Sequence, residues 1–128
     1  MISEMADKGT SNACPDKQDW VECHNTGSSA VSLAGYKLHD DRGPDDSKAY
    51  VFPRDREIKA GAYLVLCTGV DDKSPMFKIG GSDTITLRNA AGAVVSRAGP
   101  LSGDGEYDFT WAYNSKTSAF AYTSTPTP

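Results

Sequence analysis

The sequence is poor in the residues on which catalysis, membrane insertion and helical folding depend. It holds two histidines, two tryptophans and three cysteines in 128 residues. Leu, Ile, Val and Phe number only 21, which is low for a globular chain. The formal net charge is just −4, so the composition of a disordered chain is only half met. No apolar run approaches the roughly 18 residues that a spanning helix needs, and membrane insertion is not expected. Glutamate, the better helix-forming acid, is scarce, with four Glu against thirteen Asp. With 12 Gly and 7 Pro as punctuation, a helical bundle is nearly excluded. Positive charge is in deficit, 13 Lys and Arg against 17 acids, and such a balance repels phosphate on average, so nucleic acid is not an expected partner.

The catalytic inventory is correspondingly thin. Cys23 and His24 are adjacent, and a strand sends neighbours to opposite faces, so they cannot form a nucleophile–base pair. There is no G-x-S-x-G elbow, P-loop or H-E-x-x-H. His39, beside Asp40 and Asp41, reads as an exposed and inert residue at a strand end. The paired acids Asp45-Asp46 and Asp71-Asp72 lack the apolar surroundings that would raise a general acid's pKa. No enzyme and no cofactor are expected. Asp40, Asp41, Asp45 and Asp46 gather four hard oxygen ligands in one loop around Gly43-Pro44, which makes them the calcium candidates. Their spacing does not match an EF-hand, and a solvated acidic loop is the expectation. Cys23 and Cys67, in apolar-rich segments, read as small buried apolar groups. A bridge from either to Cys14 is open but unassigned, and no Cys/His spacing suggests zinc.

What is present is a rhythm. Ten strand candidates recur every eight to twelve residues, at 2–5, 20–25, 30–33, 36–39, 49–52, 63–67, 84–88, 94–98, 109–113 and 119–122. Each is short and bounded by turn residues, the signature of a β-sandwich or barrel. Ile85 and Leu87 point one way, and Thr84, Thr86 and Arg88 the other. Val21 and Cys23 share one face, and Trp20, Glu22 and His24 the opposite one. Residues 89–92 form a hairpin loop with Gly92 suited to positive φ. The expected core is Leu33, Leu38, Phe52, Ile58, Leu64, Leu66, Ile85, Leu87 and Val94, flanked by Tyr36, Tyr63 and Trp111. Trp20 should bury a large area and needs a partner for its indole N–H. Glu22 needs solvent or a cation such as Lys37. Residues 6–19, 40–48 and 99–108 break the rhythm as loops, and 125–128 read as the start of a linker after a domain spanning 1–124.

Six ordered segments resemble the lamin tail domain family. Ile2-Ser3-Glu4 is an opening strand. Trp20-Val21-Glu22-Cys23-His24-Asn25-Thr26-Gly27 is similar to the family's W-[IV]-E-L-x-N-x-G, with Cys23 in place of the usual Leu. Val31-Ser32-Leu33-Ala34-Gly35-Tyr36-Lys37-Leu38 resembles V-x-L-x-G-[WY]-x-L. Phe52-Pro53, Ile58 and residues 60–66 resemble its F-P…L-x-x-G-x-Y-[LV]-V-[LI] segment, and residues 83–87 with 92–95 its late hairpin. Trp111 and residues 125–128 resemble its terminal Trp and T-P-x-P-G ending. The resemblance implies an immunoglobulin-like β-sandwich of eight to ten mostly antiparallel strands. It is greater to the versions appended to bacterial, archaeal or algal surface and secreted proteins than to the nuclear lamin tail.

The resemblance and the empty catalytic inventory together imply a non-catalytic binding or structural module of a larger protein, monomeric when isolated. A protein or a surface polysaccharide is the expected partner, at a cell surface or outside the cell. The alternative is a nuclear filament-type tail touching chromatin or envelope proteins. Tyr107, Phe109, Tyr113, Phe120 and Tyr122 are the aromatic binding candidates, able to stack on sugars or anchor a partner if they line one face.

Overall fold

The structure, a computed structural model, describes residues 1–7, 14–15, 18–101 and 110–125. These contain eleven strands and no α-helix. In chain order the strands are β1 (Ile2–Ala6), β2 (Trp20–His24), β3 (Val31–Ser32), β4 (Lys37–His39), β5 (Tyr50–Val51), β6 (Glu57–Ile58), β7 (Tyr63–Cys67), β8 (Ile85–Arg88), β9 (Val94–Ala98), β10 (Thr110–Asn114) and β11 (Ala119–Thr123). One sheet runs β11-β10-β1-β2-β7 and the other β5-β4-β8-β9, with β3 and β6 paired as a small third ribbon. All pairings are antiparallel. The fold is the expected immunoglobulin-like β-sandwich. The one unexpected strand, β6, has two residues, too few to show a period of two.

Strand alternation decides what lies between the sheets. Val21 and Cys23 of β2 join Ile2, Met5, Leu38, Ile85 and Leu87 in one buried cluster. Of the expected core, Leu33, Phe52, Ile58 and Leu66 are buried there too, and Leu64 packs against it half-buried. Phe77, Ile79 and Leu101 complete the cluster from segments without regular structure, where no periodicity announces them.

Asn25 explains why the segment after β2 is shaped as it is. Its side-chain amide donates to the carbonyls of Ser29 (2.8 Å) and Ile58 (2.9 Å), while its Oδ1 accepts from Gly27 N–H. Its own N–H donates to Ala62 O and its carbonyl accepts from Gly61. A buried amide satisfied on both ends thereby ties the β2–β3 turn to the β6–β7 turn.

Several expectations need correction. Val94 is 43 % exposed rather than buried. A register shift between Leu87 and Arg88 pairs Val94 with outward-facing Arg88 and sets Ser96 opposite inward-facing Leu87. One extra residue in β9 thus turns Val94 and Val95 to solvent. Tyr63 is 58 % exposed and stacks on His24 at a ring-centroid distance of 4.0 Å, on the sheet's outer face instead of beside the core. Glu22 has neither solvent nor a cation. It is 1 % exposed, and its Oε1 accepts from the Ser3 hydroxyl while its Oε2 has no hydrogen-bond partner. Trp20 is fully buried as expected, but its indole N–H finds no acceptor.

Cys67 is not a free apolar group. It is bonded to Cys14, with Cα atoms 5.6 Å apart and a sequence separation of 53. The bridge sits in a second, smaller core with Ala6, Trp20 and Val65, on the face of the five-stranded sheet opposite the main one. Because Trp20 alternates with Val21, it cannot reach the main core and requires this second cover. Cys23 remains a buried free thiol, as expected. Burial pushes its pKa up to about 12.

Candidate functional site

The acidic loop distributes its carboxylates separately. Asp40 is buried at the end of β4 and takes a forked contact from Arg42, whose Nη2 lies 2.7 Å from Oδ2 and whose backbone N–H reaches Oδ1. Burial alone would raise the Asp40 carboxyl, but the Arg42 hydrogen bonds and charge outweigh it and hold the pKa below its ordinary value. Asp41 accepts the N–H of Thr84 at 3.1 Å. Asp45 stands almost fully exposed 3.8 Å from Lys37 Nζ, and Asp46 closes an Asx-type turn on Lys48 N–H. Among the described residues no three His, Cys, Asp or Glu side chains converge as metal ligands would.

His39 is placed differently from its expected exposed position. It is buried on the outer face of the four-stranded sheet, with Nδ1 2.7 Å from Asp40 O and Nε2 3.0 Å from Arg88 Nε. A guanidinium can only donate, so Nε2 must accept and the ring proton sits on Nδ1, donated to the carbonyl. The ring is thus a bracket that orients Arg88, whose Nη1 also donates to Gly92 O in the β8–β9 hairpin.

Around these groups lie two adjoining hollows that share Asp40 and Asp41. One, of about 350 Å³, is floored by His39, Thr86, Arg88 and Arg97 and walled by Gly43 and Pro44. The other, of about 430 Å³, is lined by Arg42, Lys48, Lys78 and Asp83. Both are open, and charged side chains line each. The sequence signal for the first is the outward set of Thr86 and Arg88. What sequence cannot supply is that His39 and Arg97, 58 residues apart in number, stand on either side of Thr86 by register.

The aromatic candidates divide. Tyr107 and Phe109 lie outside the described residues. Tyr113, Phe120 and Tyr122 share one face of the β10–β11 hairpin with Trp111, as cross-strand pairs Trp111–Tyr122 and Tyr113–Phe120. Their rings meet edge-on at 4.8 and 5.4 Å. Trp111, Phe120 and Tyr122 pack, half-buried, against the main core, because β10 continues the sheet beside β1 with Trp111 opposite Met5.

Glu4 and Glu22 form a second notable pair, opposite one another on β1 and β2 and each 1 % exposed. Glu4 accepts from the Thr110 hydroxyl. Burial raises the pKa of Glu22, and the Glu4 charge adds to the rise while the Ser3 hydrogen bond opposes it. Neither acid lines either hollow.

Two antiparallel sheets over one main core, with charge-lined hollows beside the four-stranded sheet, define an immunoglobulin-like β-sandwich module. The family model described as Lamin Tail Domain matches residues 1–101. The chain belongs to the lamin tail domain family. No curated protein matches it. The match ends before β10, so Trp111 and the ending at 125–128 lie outside the matched residues. No helix among the described residues is long and apolar enough to cross a membrane.

Proposed function

We propose that the chain is a non-catalytic binding and structural module of a larger multidomain protein, attaching it to a protein or surface-polysaccharide partner at a cell surface or outside the cell. The observation that carries the setting is the Cys14–Cys67 bridge, since disulfides persist in oxidising compartments and are rare in the nucleus and cytosol. The same bridge weighs against the nuclear-tail alternative. The non-catalytic reading is supported by how the reactive groups are used. Cys23 is buried with its pKa pushed up, His39 is held at both ring nitrogens, and His24 is stacked on Tyr63. The module extends to about residue 124, because β10 and β11 complete the sheet begun by β1. The acidic loop at residues 40–48 acts as a rim in which Asp40 is buried against Arg42 and Asp45 is solvated, without a tight calcium site.

The test combines thiol labelling and a gel-shift. In protein taken from its native compartment, Cys14 and Cys67 should resist alkylation until reduced, and Cys23 should react only after unfolding. Duplex DNA should not be retarded at low salt. Free Cys14 and Cys67 thiols together with salt-sensitive DNA retardation would establish the nuclear-tail reading instead. A calcium-induced rise in Tm that is lost in the Asp45→Ala/Asp46→Ala variant would overturn the rim reading.

A further inference from the structure

The outer face of the four-stranded sheet carries a charge pattern opposite to that of the whole molecule. Register places Val51, Lys37, Arg88 and Val94 as successive partners straight across β5, β4, β8 and β9. The next row holds His39, Thr86 and Arg97. Every charged strand residue on this face is therefore positive, in a chain whose net charge is −4. The acids bordering this face come from the loop after β4: Asp40 and Asp41 line the hollow that Arg88 and Arg97 floor, but Asp40 is taken by Arg42 and Asp41 accepts from Thr84 N–H. Arg88 spends its hydrogen bonds on two neutral acceptors, His39 Nε2 and Gly92 O. Among the described residues the two ion pairs are Arg42–Asp40 and Lys37–Asp45, so neither Arg88 nor Arg97 has a carboxylate. Lys37 Nζ donates to the Pro44 carbonyl at 3.2 Å, and the one carboxylate near it is the almost fully exposed Asp45 at 3.8 Å.

The rest of the face indicates the kind of partner. Val51, Val94 and Val95 are exposed beside the cations, the last two turned out by the bulge in β9. The strand residues of this face include no aromatic ring for a sugar to stack on, since Tyr50 and Phe52 are buried. Aliphatic side chains next to unpaired guanidinium groups suit a polypeptide bearing both carboxylates and aliphatic groups. The spacing suits it as well. Arg88 and Arg97 lie on neighbouring strands in adjacent rows, and such rows are about 7 Å apart along the strands. Alternate side chains of an extended peptide repeat at the same interval.

We propose that the outer face of the four-stranded sheet is a docking surface for an extended acidic polypeptide segment. Carboxylates at alternate positions of the segment engage Arg97 and Arg88, Lys37 lies beside Arg88 in the same row and adds its charge there, and the segment's aliphatic side chains cover Val51, Val94 and Val95. The proposal rests on the reading of the chain as a binding module and names the partner that module takes.

The experiment is fluorescence anisotropy with the full chain and three probes: a labelled decapeptide of Glu and Val, its Lys-for-Glu counterpart, and labelled polygalacturonate. The Glu peptide should bind, weaken steeply with salt, and lose at least tenfold in affinity on Arg97→Glu or Lys37→Glu. Lys116→Glu, in the β10–β11 turn, makes the same charge change away from the face and should leave binding within twofold. Arg88 is spared because it is bracketed by His39, and circular dichroism of each variant verifies folding. Failure of the Glu peptide to bind at low salt overturns the proposal, as does equal loss on Lys116→Glu and Arg97→Glu. Tighter binding of polygalacturonate assigns the face to a polysaccharide. Dimerisation that Arg97→Glu abolishes assigns it to a second copy. All four outcomes leave the module reading to the thiol-labelling and gel-shift assays, which they do not affect.

Discussion

Removing the Cys14–Cys67 bridge is the perturbation whose size follows most directly from the structure. The bond closes a loop with a sequence separation of 53, and in the chain-entropy model a loop of that length withholds about 4 kcal/mol of freedom from the unfolded state. A domain of this kind has a total stability of roughly 5–15 kcal/mol, so the loss is a large share of the whole. The double variant Cys14→Ala/Cys67→Ala keeps each Cβ in the small core around Trp20 and removes chiefly the cross-link. Equilibrium urea titration, followed by tryptophan fluorescence and far-UV circular dichroism together, reads the effect. With a slope of about 2 kcal/mol per molar, the midpoint should fall by about 2 M. Reduction of the unsubstituted protein should produce the same fall, which separates the cross-link from any packing change at the two alanines. A shift worth less than about 1 kcal/mol by both routes would refute the reasoning, because a bond spanning so much chain could be that silent only if it did not form.

Three further outcomes are expected. Leu87→Ala, at a core position on β8, should cost ~2–5 kcal/mol in the same titration, and a loss under about 1 kcal/mol would mean β8 is misplaced. Glu22→Gln should stabilise the protein at neutral pH. The Glu22 pKa is raised on folding, so its contribution is fully present below the ordinary value near 4.5 and is lost as pH rises through the folded value. The variant's advantage should therefore vanish in acid, and an advantage that grows below pH 4 would contradict the sign. Gly99→Ala should destabilise by about 1–3 kcal/mol, because a Cβ there would lie 2.6 Å from Asp83 O and 2.9 Å from Thr84 Cα, at φ +117°. A neutral result in thermal melting would show that this crossing can open.

Sequence alone determined the architecture and part of the core. Alternation is a local property, so Ile85 and Leu87 could be assigned inward and Thr86 and Arg88 outward without knowing any partner strand. The family was legible for the same reason, since its motifs are short runs within strands and their turns. Tertiary structure decided everything that depends on which strands meet. The bulge opposite Arg88 turned Val94 out, and no single-strand pattern contains the count of residues on the neighbouring strand. The pairing of β1 with β2 set Glu4 against Glu22 in a buried position that neither hydropathy nor spacing foretold. The approach of the segment at Cys14 to the end of β7 made Cys67 a disulfide partner of Cys14 instead of a free apolar group. The cationic face arises in the same way. Lys37, Arg88 and Arg97 are ordinary outward residues on three strands, and only the hydrogen-bond register that lays those strands side by side makes one surface of them. Side-chain direction is fixed by the chain's own geometry, whereas neighbourhood across a sheet is fixed by pairing between segments far apart in sequence.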